Sequence, residues 1–178
     1  MAGQIRVAIE DMRARGEAVA TDFKYVAIWN NQIETYLKGE SDVFDSPQLF
    51  IEMLPQAGGV LGVGVNQFDI IWRLHIAHYE LDAGDGRMEQ NVTVFDLRNK
   101  AVKAYAGYRP SNCTGLQYVT ENTDSKHGNV YHYTIDFKCA FIDTSASPLD
   151  PDSTDWIVKE PPTGIVINVD KVISIDNG

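Results

Sequence analysis

VYHYTIDFKCAFID, residues 130–143, alternates along its whole length. Tyr131, Tyr133, Ile135, Phe137, Cys139 and Phe141 fall on one side of an extended chain. Val130, His132, Thr134, Asp136 and Lys138 fall on the other. Successive side chains of a strand point to opposite faces, so this period of two predicts a long strand with one buried and one wetter face. Residues 67–80 (QFDIIWRLHIAHYE) repeat the pattern. Phe68, Ile70, Trp72, Leu74 and Ile76 oppose Gln67, Asp69, Arg73 and His75, with Ile71 the exception.

Outward from these two strands the signals change. Residues 87–106 carry Val94, Leu97, Ala101 and Tyr105 at helical spacing, widened by Phe95 and Val102, and Gly107 and Pro110 end the run. Residues 4–15 (QIRVAIEDMRAR) place Ile5, Ile9 and Met12 on one helical face, with Gly16 as the expected stop. FKYVAIW (23–29) and QLFIEML (48–54) are aromatic and β-branched, hence strands, the second closed by Pro55. Residues 30–39 suit a helical turn or two ended by Gly39. The glycine-rich 57–64 (AGGVLGVG) suits a loop. LDAGDG (81–86) is turn chemistry, 116–120 a short strand and ENTDSKHGN (121–129) a hairpin loop. Runs of strands with helices first and in the middle predict an α+β fold. Its sheet is antiparallel or mixed, with the N-terminal and central helices packed on one face.

After Asp143 the composition shifts. Residues 144–154 are rich in Ser, Asp and Pro and fit a linker. Residues 156–159 and 164–175 (GIVINVDKVISI) look extended, but two short strands cannot bury a core alone. The expected organisation is a core over 1–144 and an acidic, extended C-terminal arm over 145–178. In the arm, Trp156, Ile165, Val166, Ile167 and Val169 are the candidate contacts with another subunit or partner.

The bulk numbers narrow the function. With 178 residues the chain can bury a core without disulfides or metals. The net charge of -10 argues against binding nucleic acid through an overall field and for repelling DNA nearby. No apolar run is long enough to span a bilayer or to act as a secretion signal, so the expected setting is a reducing cytoplasm and no membrane.

Candidate chemistry is sparse. GVGVNQ (62–67) starts like a dinucleotide fingerprint, but the third glycine is missing and a strand follows where a helix is required. His75 and His78, three apart on a strand, face opposite sides and cannot chelate one ion with Glu80, so a surface or hydrogen-bonded role is expected for them. Asp82 and Asp85 with Glu89 lack the alternating ligands of a calcium loop. Asp124, Lys126 and His127 suit a solvated hairpin tip. Cys139, on the apolar side of its strand, should stay protonated and inert. Cys113, in a loop, has no histidine near in sequence. No catalytic residue, metal or cofactor is expected. The rival class is a small-ligand-binding or enzymatic α+β domain with no recognisable motif, which would need a deep pocket of convergent polar groups. A capsid or receptor-binding decoration protein is a weaker alternative.

One resemblance bears on this. The strand at 68–80, the helix at 93–108 and the sequence 113–143 follow in order. They include Phe95, Asp96 and Leu97 in the helix, Glu121 and Asp124 in an acidic turn, and Tyr131 and Tyr133 in the aromatic strand. In this the chain is similar to the tail-terminator and tail-completion proteins of tailed phages, with 23–32 and 48–54 resembling that family's first two strands. The resemblance covers 1–144 and stops at Ser145. It implies a non-enzymatic virion protein, made in the host cytoplasm. Its copies would form a closed homo-oligomeric ring at the phage neck or tail. Portal, adaptor or tail-tube proteins would be its neighbours, and genomic DNA would pass through without specific binding.

Overall fold

A computed structural model describes residues 3–39, 46–79, 93–124 and 130–147. The protein is α+β, built on a five-stranded mixed sheet. The strands are β1 (Tyr25–Ile28), β2 (Gln48–Gly62), β3 (Val65–Tyr79), β4 (Gln117–Asp124) and β5 (Val130–Asp143), in the spatial order β1-β2-β3-β5-β4. Only β1 is parallel to its neighbour. The two alternating strands lie side by side at the centre. Their register sets Ile70 beside Cys139, Trp72 beside Phe137, Leu74 beside Ile135 and Ile76 beside Tyr133. Each apolar residue thus meets an apolar residue on the same face, the pairing that stabilises a sheet.

That face is covered by α1 (Gln4–Val19) and α3 (Thr93–Tyr105). From α3, Val94, Leu97, Ala101, Ala104 and Tyr105 are buried, whereas Phe95 points outward and meets Tyr133 edge-on. The buried stripe of α1 is Ala8, Met12 and Gly16, spaced by four, and Ile5 is 37% exposed. Gly16 therefore does not end the helix. It lies where α1 comes closest to the sheet and α3. A Cβ there would stand 2.5 Å from the Tyr105 hydroxyl and 2.9 Å from Val26 Cγ1. The Tyr105 hydroxyl donates to the Met12 carbonyl at 2.8 Å. Tyr105→Phe should cost about 1–2 kcal/mol in urea unfolding, because that carbonyl keeps its helical partner and only one buried bond is lost.

Two other expectations are corrected. Residues 57–64 are not a loop: β2 continues past Pro55 to Gly62 and turns through Val63 and Gly64 into β3. Pro55 is tolerated because it lies beyond β1, on the outer side of the sheet, where no described strand needs its missing N–H. The step in register between Pro55 and Gly58 takes up the irregularity. Residues 121–124 likewise belong to β4 rather than a loop, paired against residues 132–135 of β5. Glu121 there accepts from Arg98 of α3 at 2.7 Å, and that bond holds its carboxyl below the usual range. The turn at 81–86, the first residues of the expected central helix (87–92) and the hairpin tip with Lys126 and His127 lie outside the described residues. So do the arm and its candidate contacts Trp156, Ile165, Val166, Ile167 and Val169.

Candidate functional site

The sheet's second face was expected to be wet, but part of it is closed. α2 (Gln32–Leu37) and Trp29 lie over it, and Ile33, Phe50, Ala77 and Val130 form a small second core beneath. Trp29 stacks on His75 with ring centroids 4.1 Å apart and 6° between planes, and on His132 at 5.8 Å. His75 and His132 are both buried, each 5% exposed. His75 is thus the hydrogen-bonded histidine of the two expected roles, and its partner comes from another strand.

The hydrogen bonds assign the tautomers. His75 Nε2 lies 3.1 Å from Glu52 Oε2, and His75 Nδ1 lies 2.9 Å from His132 Nε2. The carboxylate can only accept, so the His75 proton sits on Nε2, and Nδ1 accepts from His132 Nε2–H. Beside them Arg73 makes a bidentate pair with Asp136, at 2.8 and 2.9 Å, with Glu52 at 4.0 Å. A proton added to His75 would have to sit on Nδ1, against the donor of His132. Burial first, and then the Arg73 charge, lower the His75 pKa to about 3. The imidazole is therefore neutral near neutral pH. This cluster packs Trp29, just before α2, onto the sheet, with the two imidazoles beneath it buried.

The two thiols, read separately in the sequence, meet. Cys113 bridges to Phe141, which places it on the face that Cys139 occupies two residues earlier. The neighbouring Cys139 thiol, and then burial, push the Cys113 thiol well above the usual thiol range. Outside this corner an open depression is lined by Arg109, Asn112, Thr114, Ile142 and Thr144 with Cys113. None of these residues is an acid or a histidine. Among the described residues no three His, Cys, Asp or Glu side chains are placed to hold a metal ion, and no helix is long and apolar enough to cross a membrane.

The surface is more informative than the interior. The β2–β3 hairpin carries Val60, Leu61 and Val63, which are 77%, 59% and 83% exposed. Every residue of β2 from Pro55 on is exposed. On the outer side of β2 the last rung is the Trp29 N–H to the Ile51 carbonyl, at 2.9 Å. From residue 52 to 62 no described strand lies on that side. At the opposite edge β4 has β5 on one side only, with Tyr118 and Val119 about half exposed. The sequence missed this hairpin because glycine and proline there imitate a loop. The available signal was VLGV, an apolar run in an otherwise small-residue stretch. No family model and no curated protein sequence matches the chain.

Proposed function

We propose that this chain is a structural subunit of a homo-oligomeric ring at the head–tail junction or tail end of a tailed bacteriophage. It would join neighbouring virion proteins around the DNA channel and would not act as an enzyme. The observation that carries the reading is the β2–β3 hairpin, which holds three apolar side chains in water at the end of a strand with an open outer edge. Exposed apolar groups set together mark a contact surface, and an open strand edge is a template for pairing. On the far side of the sheet, β4 likewise has no outer neighbour among the described residues. Two unlike contact surfaces on one subunit are what a head-to-tail ring requires. The similarity to tail-terminator and tail-completion proteins supplies the particle and the partners: portal, adaptor or tail-tube proteins, with the arm as a further contact. The net charge of -10 suits a wall past which DNA slides without sticking.

Native mass spectrometry across a range of protein concentrations tests this. A single closed oligomer is expected, alone or on a portal or tail-tube partner. Changing Val60, Leu61 and Val63 together to Lys should abolish it while circular dichroism stays unchanged. Monomers at every concentration and with every partner would sink the reading, as would a triple Lys variant that assembles normally.

A further inference from the structure

We infer that the outer edge of β2, over residues 52–62, receives residues 164–175 of this chain as an added strand. The assignment goes beyond the assembly reading by naming a donor and an acceptor, and it stands whether the two belong to one copy or to neighbours.

The acceptor is an open edge. Its pairing stops at Ile51, where Trp29 takes the last outward carbonyl, and residues 52–62 continue for eleven positions with no described neighbour on that side. Exposed Val60, Leu61 and Val63 lie at its end. An added strand satisfies such an edge through main-chain bonds, and its side chains supply cover for apolar neighbours.

The donor is chosen by pattern, length and reach. Residues 164–175 (GIVINVDKVISI) contain no proline, so every residue can donate a rung. Ile165, Ile167, Val169, Ile173 and Ile175 share one face with Lys171, while Asn168, Asp170 and Ser174 share the other with Val166 and Val172. Five of the six positions on the first face are apolar, and the segment's twelve residues are close in number to the eleven of the edge. The described chain ends at Ser147, beside the hairpin turn. A Cβ on Gly64 would run into the Ala146 carbonyl and stand 2.7 Å from the Ser147 nitrogen. Sixteen residues, 148–163, then separate exit from donor. Extended, they reach roughly 50 Å, whereas the edge is roughly 36 Å long. A tether this short also gives a high effective concentration at the edge.

The competing account is that Pro55 and the bulge after it blunt the edge and keep it bare. Pro55 removes one donor, but the apolar side chains beyond it stay uncovered.

Hydrogen exchange on the full-length protein decides between them. Residues 52–62 are compared with the same peptide in the full-length triple variant Ile165→Asp, Ile167→Asp, Val169→Asp. The amides of 52–62 should exchange at least about tenfold faster in the variant, with those of β5 unchanged. Equal rates in the two proteins overturn the assignment. Native mass spectrometry on the same samples keeps this separate from the ring. Closed oligomers with equal exchange rates overturn only the strand assignment. Arm-dependent protection in a monomer upholds the assignment and counts against the ring alone.

Discussion

Acidification from neutral pH should remove up to about 5 kcal/mol of folding stability through His75 alone. The sign follows from where the proton prefers to go. His75 titrates near 6.5 in an unfolded chain and at about 3 in the fold. Below 6.5 the unfolded chain takes a proton that the folded chain refuses, so the unfolded state gains. The stability present above 6.5 is lost as pH falls toward 3, and about 2 kcal/mol should be gone by pH 5. The groups that face the ring are His132 from β5, Glu52 from β2, Trp29 after β1, and the Arg73–Asp136 pair. Asp136 favours the charged ring, but burial and the Arg73 charge outweigh it. Carboxylates such as Glu121, whose pKa is lowered by Arg98, lose their contribution further down, within the carboxylate range. The interval from about 6.5 to 5 therefore isolates the histidines. Urea unfolding followed by tryptophan fluorescence measures the loss, and Trp29, stacked on His75, reports the local event. His75→Gln should flatten the curve over that interval. An unchanged slope in the variant would show that the ring is not held neutral by its surroundings.

The same cluster shows where local sequence stops being informative. β3 and β5 were legible because strict alternation belongs to one segment, and the register of Trp72 against Phe137 then follows from matching apolar faces. Which side of those strands is wet was not legible in the same way. His75, His132, Asp136 and Arg73 look like a solvated face when each strand is read by itself. The two imidazoles are enclosed because Trp29, more than forty residues away in sequence, stacks across them, and Asp136 is buried beside them while Arg73 stays partly exposed. The thiols followed the same logic. Cys113 and Cys139 become neighbours only through the bridge from Cys113 to Phe141.

The hairpin misled for the opposite reason. Glycine and proline at 55–64 are breakers inside a sheet, but beyond the end of β1 no described strand outside β2 requires an N–H from Pro55. Composition argued for a loop, and position in the sheet overrode it. The arm's candidate contacts were named from an apolar alternation without a core, and they lie outside the described residues. The open stretch of β2 could not be named from sequence, since it depends on how far β1 runs along β2. Surface contacts are the property that single-segment patterns report least.

Gly16 carries the second large effect. Gly16→Leu should cost at least about 3 kcal/mol, and Gly16→Ala about 1–3 kcal/mol although alanine is the better helix former by about 1 kcal/mol. The reason is space. A Cβ at this position meets the Tyr105 hydroxyl at 2.5 Å, Val26 Cγ1 at 2.9 Å and Leu49 Cδ2 at 3.3 Å. The hydroxyl cannot step aside cheaply. The Tyr105 ring is fully buried, and its oxygen is tied to the Met12 carbonyl one turn up the same helix. α1 would have to lift from α3 and from the start of the sheet together. A double-mutant cycle separates this from a simple propensity effect. In a Tyr105→Phe background the closest clash disappears, so Gly16→Ala should cost clearly less there than in the wild type. The remaining cost would report Val26. Equal costs in both backgrounds would mean that the contact between α1 and Tyr105 does not set the helix position. The close approach of α1 to the sheet would then need another cause.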